Sequence, residues 1–323
     1  MTIAQQQGPE QDVDQESKTT SWTHDFFVPL SMDDYLNGVD DEQFPVENYG
    51  DASFTGVWAS AAAFLRWLET NRASWDSAAT EPTPSQSKTS FHILELGSGT
   101  GFLGIHLAYN LNKQQQLLQK DDTTTLKIHY KVTLSDNPTT GAYHWTKANL
   151  EKALLPQASN KEKDPESQYH CETNEYYSEE TKSSESISIE SSEQEQQQEE
   201  KEDITFLHGL VEAIPLDWSC QEQRTNVAKQ DWDMIVGTDL VYSEEGCHHL
   251  VTTMAELLQV GNRKILYGHT QGRIPELDQL LEDELDRWNL EWKTLDTISL
   301  PTWNGMRTTI IYEIQRRSPA TTS

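Results

Sequence analysis

Residues 91–102 constrain the fold of this chain more than any other stretch. Phe91-His-Ile-Leu-Glu-Leu96 is an apolar run of strand length; it breaks into Gly97-Ser-Gly99-Thr-Gly101, and Phe102 to about Lys120 then carries a helical pattern. A strand that turns through three glycines into a helix places that turn at the C-terminal end of a strand in an α/β sheet. The glycines let the chain turn sharply and let a ligand reach the backbone without meeting a Cβ. Turns of this kind serve NAD, FAD, phosphates and S-adenosylmethionine alike. The Lys-Ser/Thr ending of a phosphate-binding P-loop is missing, which argues against an NTPase. Glu95 stands two residues before Gly97, where a carboxylate would repel a nucleotide phosphate and suits a ligand carrying an ammonium and a sulfonium.

The strand and helix alternation continues on both sides. A helix is predicted from about Trp58 to Asn71, with Ala62, Leu65 and Glu69 at helical spacing. Lys127–Ser135 alternates at period two and ends at Asp136; a helix follows from about Thr139 to Leu154. Strands are predicted at Val211–Leu216, Trp232–Val236 and Lys264–Tyr267, with helices from about Glu245 to Gln259 and Pro275 to Trp288. Two last strands, Glu291–Ile298 and Arg307–Gln315, flank the loop LPTWNGM. This order implies a three-layer sandwich: a mostly parallel sheet, helices on both faces, and an antiparallel ending at one edge. That ending separates the chain from an ordinary dinucleotide-binding domain.

Three stretches fall outside the pattern. Residues 1–20 are polar and read as a disordered tail, and Ser77 to Ser90 as a linker with two prolines. Residues 156–203 hold 15 acidic residues against four lysines and read as a disordered insertion, too polar to offset its ordering entropy. Closing a loop of that length costs only roughly 2 kcal/mol. Residues 21–323 are therefore expected to form one domain interrupted by the insertion.

The mean hydropathy of -0.71 is low for a chain folded throughout, and the formal charge of -29 argues against binding nucleic acid, since phosphates would be repelled. No apolar run is long enough for a bilayer, and the first 20 residues show no secretory pattern. Cys171, Cys220 and Cys247 are too scattered for a disulfide framework or a zinc cluster, and His248-His249 has no third ligand nearby. No metal site is expected. The chain reads as a soluble monomer of the cytoplasm, or of cytoplasm and nucleus.

Four strand ends carry the candidate site. After Glu95 and the glycine turn comes Asp136, where an acidic side chain can accept from two ribose hydroxyls or simply cap the turn Asp136-Asn-Pro-Thr. Trp218 follows the next strand, suited to flank an adenine or to pack in the core. Asp239-Leu-Val-Tyr242 follows the buried run Met234–Thr238. Polar or aromatic groups at four successive strand ends form one crevice, because open α/β sheets bind ligands there.

ELGSGTG, the Ser135-Asp136 strand end, Leu216-Asp-Trp218 and above all Thr238-Asp-Leu-Val-Tyr242 resemble the seven-strand protein-lysine methyltransferases of methyltransferase-like family 16. Phe54-Thr-Gly-Val-Trp58, followed by an alanine-rich helix, is similar to that family's glycine-to-tryptophan motif. The resemblance runs from about Gly50 to Glu313 and implies a class I, Rossmann-like methyltransferase fold with seven strands. It implies S-adenosylmethionine as cofactor, touched by Trp58, Gly97, Ser98, Gly99, Asp136, Trp218 and Thr238. Asp239 and Tyr242 would then line the acceptor pocket. The acceptor it implies is a lysine of a protein, such as a chaperone or translation factor. Two departures stand out: Ala59 where an acidic residue usually follows the tryptophan, and a long Gln-rich spacer between Gly101 and Asp136. An arginine or N-terminal methyltransferase of the same fold, and a non-catalytic cofactor-binding module, are the alternatives. His269-Thr-Gln271 could touch substrate or belong to a loop, and Asn149 could cap its helix or brace the crevice.

Overall fold

The computed structural model describes residues 57–76, 90–121, 128–154, 207–261, 263–302 and 305–317. The expected tail, insertion, most of the 77–90 linker and residues 54–56 of the tryptophan motif lie outside the described residues. In chain order the elements are α1 (Ala59–Thr70), α2 (Arg72–Trp75), β1 (Ser90–Leu96), α3 (Phe102–Asp121), β2 (His129–Asp136), α4 (Ala142–Leu154) and β3 (Val211–Pro215). They continue with α5 (Gln221–Ala228), β4 (Met234–Thr238), α6 (Glu244–Leu257), β5 (Ile265–Gln271), α7 (Pro275–Arg287), β6 (Leu290–Thr302) and β7 (Gly305–Arg316).

The described strands form a seven-stranded sheet in the order β3-β2-β1-β4-β5-β7-β6. β1 to β5 run parallel, and β7 lies antiparallel between β5 and β6. Strand residues alternate between two buried layers. Ile93 and Val236 join Phe64, Leu65 and Leu68 of α1 and Leu103 and Leu107 of α3. Leu94 and Ile235 face the opposite way, against Leu250 and Met254 of α6 and Leu281 and Leu285 of α7. This period-two exchange makes central strands apolar on both faces and fixes the three layers. The order reverses at β1, which has β2 on one side and β4 on the other, so a crevice opens at the C-terminal ends of these strands.

Several boundaries differ from the sequence reading. α4 starts at Ala142 rather than near Thr139 because Asn137 forms an Asx turn, its Oδ1 accepting from the Thr139 N–H at 2.8 Å. β4 starts at Met234, two residues late, since Trp232 instead packs as a buried anchor and donates its indole N–H to Val227 O at 2.8 Å. β5 runs to Gln271, so His269-Thr-Gln271 belongs to the strand; its pairing with Thr308–Ile310 of β7 extends it. α5 has no helical signature in the sequence because QEQRTNVA has almost no apolar stripe; only Arg224 and Val227 are buried.

Candidate functional site

The crevice is a cavity of about 560 Å³ at the strand ends. Of the residues expected there, Trp58, Glu95, Gly97, Ser98, Gly99, Asp136, Thr238, Asp239 and Tyr242 all line it. Trp218 does not. Its indole packs behind the glycine turn, with Cζ2 3.3 Å from the position of a Cβ on Gly97. It lies against the apolar layer that holds Leu216 and Val227.

The turn is built to approach a ligand with bare backbone. Gly97 has φ 60, and a Cβ there would stand 2.4 Å from Leu240 Cδ2, so both its conformation and its space exclude a side chain. Gly104, unremarked in the sequence, matters as much. A Cβ on it would meet Leu134 Cδ2 at 2.3 Å and Glu95 Oε2 at 2.4 Å. Its absence lets α3 lie close on the sheet and donate the Gly104 N–H to Glu95 at 3.1 Å. A fourth glycine, three residues past Gly101, was the available signal.

Glu95 is buried, and burial pushes its carboxyl up to about 8; Asp136 adds to this, while Ser98 and the Gly104 N–H oppose it. The Asp136 carboxylate accepts from the Gly99 N–H at 2.6 Å and the Asn137 N–H at 2.7 Å. Burial still raises it to about 6 against those two donors. Glu95 therefore holds a proton near neutrality that an ordinary carboxyl would have lost, whereas Asp136 keeps its own only up to about pH 6; a cation or a pair of hydroxyl donors would favour the ionised forms.

Asp239 sits at φ 52, a left-handed conformation that Asp tolerates and that turns the chain sharply out of β4. Its carboxylate is held on three sides: Thr270 donates its N–H to Oδ1 at 2.6 Å and its hydroxyl to Oδ2 at 2.8 Å, and Ser60 donates to Oδ2 at 2.6 Å. The Thr238 hydroxyl donates onward to Ser60 at 3.1 Å. This network ties α1, β4 and β5 together. Nothing in the sequence points to Ser60, because its partner Asp239 lies 179 positions away; Thr270 belongs to the His269-Thr-Gln271 segment, and its contact with the site is to Asp239, 31 positions away. Tyr242 and Trp58, about half exposed, stand at the cavity mouth with Arg273 and Ile274.

The remaining candidates belong to packing. His248 pairs with Glu284 at 3.2 Å and His249 with Glu245 at 3.7 Å, and no group of three metal-ligating side chains exists among the described residues. His269 holds Asp278 at 2.8 Å on β5. Asn149 is fully buried in α4. No described helix is long and apolar enough to cross a membrane.

A family model described as "Lysine methyltransferase" matches residues 39–162 and 181–280, well over half of the chain. Among curated proteins nothing matches. Solved structures that align include the M. jannaschii TYW2 in complex with AdoMet, at 12% identity over 80% of this chain and 78% of that one, TM-score 0.37. Another is the precorrin-6y C5,15-methyltransferase of Geobacter metallireducens, at 8% identity over 87% and 97%, TM-score 0.39. The chain spans 65% of the length of a candidate transferase from Pyrococcus horikoshii, at 9% identity over 81% of this chain, TM-score 0.36.

Proposed function

The chain belongs to the lysine methyltransferase family, and from that premise we propose that it methylates the side-chain amine of a lysine in a protein. It is a methyltransferase whose methyl donor is S-adenosylmethionine. When bound, this cofactor supplies an electrophilic methyl group on a sulfonium. The cavity fits such a ligand: a bare glycine turn at Gly97, carboxyl groups on Asp136 and Glu95 for hydroxyls and a cation, and aromatic rings at the mouth.

In this reading Asp136 accepts from the ribose hydroxyls, and the backbone of Gly97 and Gly99 lies against the cofactor. Ser98, Thr238 and Trp58 complete its wall, while Trp218 acts from behind by holding the turn in place. Asp239 and Tyr242 receive the acceptor. A lysine must shed a proton from an unperturbed pKa of about 10.4 before it can attack. Apolar surroundings lower that pKa and a carboxylate raises it. Asp239, already taking three hydrogen bonds, is therefore an orienting group for the ammonium, with the proton leaving through water. Tyr242 offers a ring face to the cation. The protein's contribution is chiefly positioning.

The observation that carries this proposal is the convergence of nine expected residues, from the N-cap of α1 and three strand ends, on one cavity. The acceptor is expected to be a chaperone or translation factor met by a monomer in the cytoplasm or nucleus. Incubating a proteome extract with labelled S-adenosylmethionine, followed by mass spectrometry, tests it. Label on a protein lysine is expected; label confined to RNA, a small molecule, arginine or an N-terminus would overturn it.

A further inference from the structure

Seven large apolar side chains stand exposed among the described residues, and four of them, Val57, Trp58, Tyr242 and Ile274, meet at the mouth of the cavity. The others are scattered: Leu117 on α3, Val260 beyond α6 and Met306 on β7. Apolar exposure gathered at one opening marks a surface that meets a partner, whereas single exposed residues do not.

Two of the four sit where helix chemistry favours another residue type. Trp58 is the N-cap of α1 and Ile274 the N-cap of α7, and neither side chain caps its helix. Ser, Thr, Asp and Asn are preferred at that position, and large apolar residues are disfavoured. α6, which also begins at the mouth, follows the rule: Ser243 accepts from the Gly246 N–H at 3.1 Å. At α1 and α7 helix stability is forgone, and an apolar group is held at the opening instead. Arg273 joins the two caps into one surface, its Cζ 5.1 Å from the Trp58 ring centroid. The flanks are acidic. Glu244 and Glu276, in the first turns of α6 and α7, are exposed and form no ion pair among the described residues.

Resting on the reading of a protein-lysine acceptor, we infer that Val57, Ile274 and the outward faces of Trp58 and Tyr242 form a docking surface for a basic protein segment that carries a large apolar side chain beside its acceptor lysine. The lysine stem crosses this rim toward Asp239. Its apolar neighbour is covered by Ile274 and Val57, and its basic neighbours face Glu244 and Glu276. A small amine would leave the rim bare, and a nucleic acid would meet carboxylates there.

Ile274→Ser is the informative variant, because serine at an N-cap favours the helix while the apolar group is removed. The thermal transition of the full chain should hold or rise, and its affinity for S-adenosylhomocysteine by calorimetry should stay. On the protein that proteome labelling identifies, kcat/KM should fall about fivefold through KM, on the scale of burying part of one apolar side chain. Ile274→Leu should recover it. Glu244→Gln combined with Glu276→Gln should flatten the loss of kcat/KM that salt causes in the wild type. Mass spectrometry should place the labelled lysine beside a large apolar residue and a further Lys or Arg. An unchanged KM in Ile274→Ser, or a labelled lysine set among acidic and small polar residues, overturns the inference. So does a wild-type dimer that the variant dissolves, which would seat a second copy on the rim, or a rise in kcat/KM, which would seat a segment of this chain there. Lost affinity for S-adenosylhomocysteine would overturn it as well, by giving Ile274 to the cofactor. Label on no protein while S-adenosylhomocysteine still binds overturns the acceptor reading beneath it, and this surface with it.

Discussion

Replacing Glu95 with glutamine should change how stability depends on pH more than it changes the fold. The folded carboxyl sits at about 8 against an ordinary 4.5 because burial disfavours its charge. Between those values the folded protein holds a proton that the unfolded chain has lost, so stability falls as pH rises. The contribution is intact below about 4.5 and gone above about 8. Every pH unit crossed between the two values removes about 1.4 kcal/mol, which makes the whole span roughly 4–5 kcal/mol and the part between pH 5.5 and 8.5 about 3 kcal/mol. Asp136, raised to about 6, adds a smaller loss at lower pH in both proteins. Glutamine keeps an acceptor for the Gly104 N–H and cannot ionise.

Urea denaturation without cofactor, at pH 5.5 and at 8.5, reads the difference directly. Wild-type stability should drop by about 3 kcal/mol more than that of Glu95→Gln across the interval. A second readout comes from binding: a cation placed beside Glu95 favours its ionised form, so cofactor binding should release a proton near neutral pH in the wild type and not from that site in the variant. Equal pH slopes in the two proteins would mean that Glu95 is already ionised when folded, and the desolvation reasoning would be refuted.

Asp136→Ala should weaken S-adenosylhomocysteine binding by about 1.5–3 kcal/mol for each ribose hydrogen bond lost, measured by calorimetry; unchanged affinity in a folded variant would remove Asp136 from the cofactor site. Asp239→Asn should cut methylation of the identified substrate by orders of magnitude while leaving S-adenosylhomocysteine affinity nearly the same, since near-attack positioning is worth several kcal/mol. If affinity collapses together with activity, Asp239 serves the cofactor instead. Removing residues 160–201 should leave the thermal transition and cofactor affinity close to wild type, because that composition offers little apolar surface to bury; an unfolded or aggregated product would show that the segment packs.

The parts of the site legible in the sequence are those where chemistry and position coincide. The glycine turn, Asp136 and Asp239 each end a recognisable strand, and open sheets bind at such ends. Direction was harder to read than location. Trp218 occupies the right strand end, yet its ring turns under Gly97 instead of into the cavity, because the apolar layer around Leu216 and Val227 gives it more to bury. Ser60, Thr270 and Arg273 carry no motif. Their roles arise from long-range contacts, with α1 brought against the β4 turn and β5 lengthened by its antiparallel partner. Periodicity locates such residues on a face; it does not reveal which neighbour that face will meet.

The charge of the whole chain misrepresents the charge of its cavity. A formal -29 suggests an acidic site that would hold any cation strongly and repel any carboxylate. Inside, burial keeps Glu95 largely protonated at neutral pH and brings Asp136 close to its titration, while three donors engage Asp239. With Arg273 in the same wall, little uncompensated negative charge is left there. The exterior charge can attract a basic acceptor over a Debye length of about 8 Å in physiological salt. A cavity of lower charge can then take in a donor that carries a carboxylate along with its cations. It also lets an incoming lysine lose its proton, which a ring of fully ionised carboxylates would oppose by raising the amine's pKa.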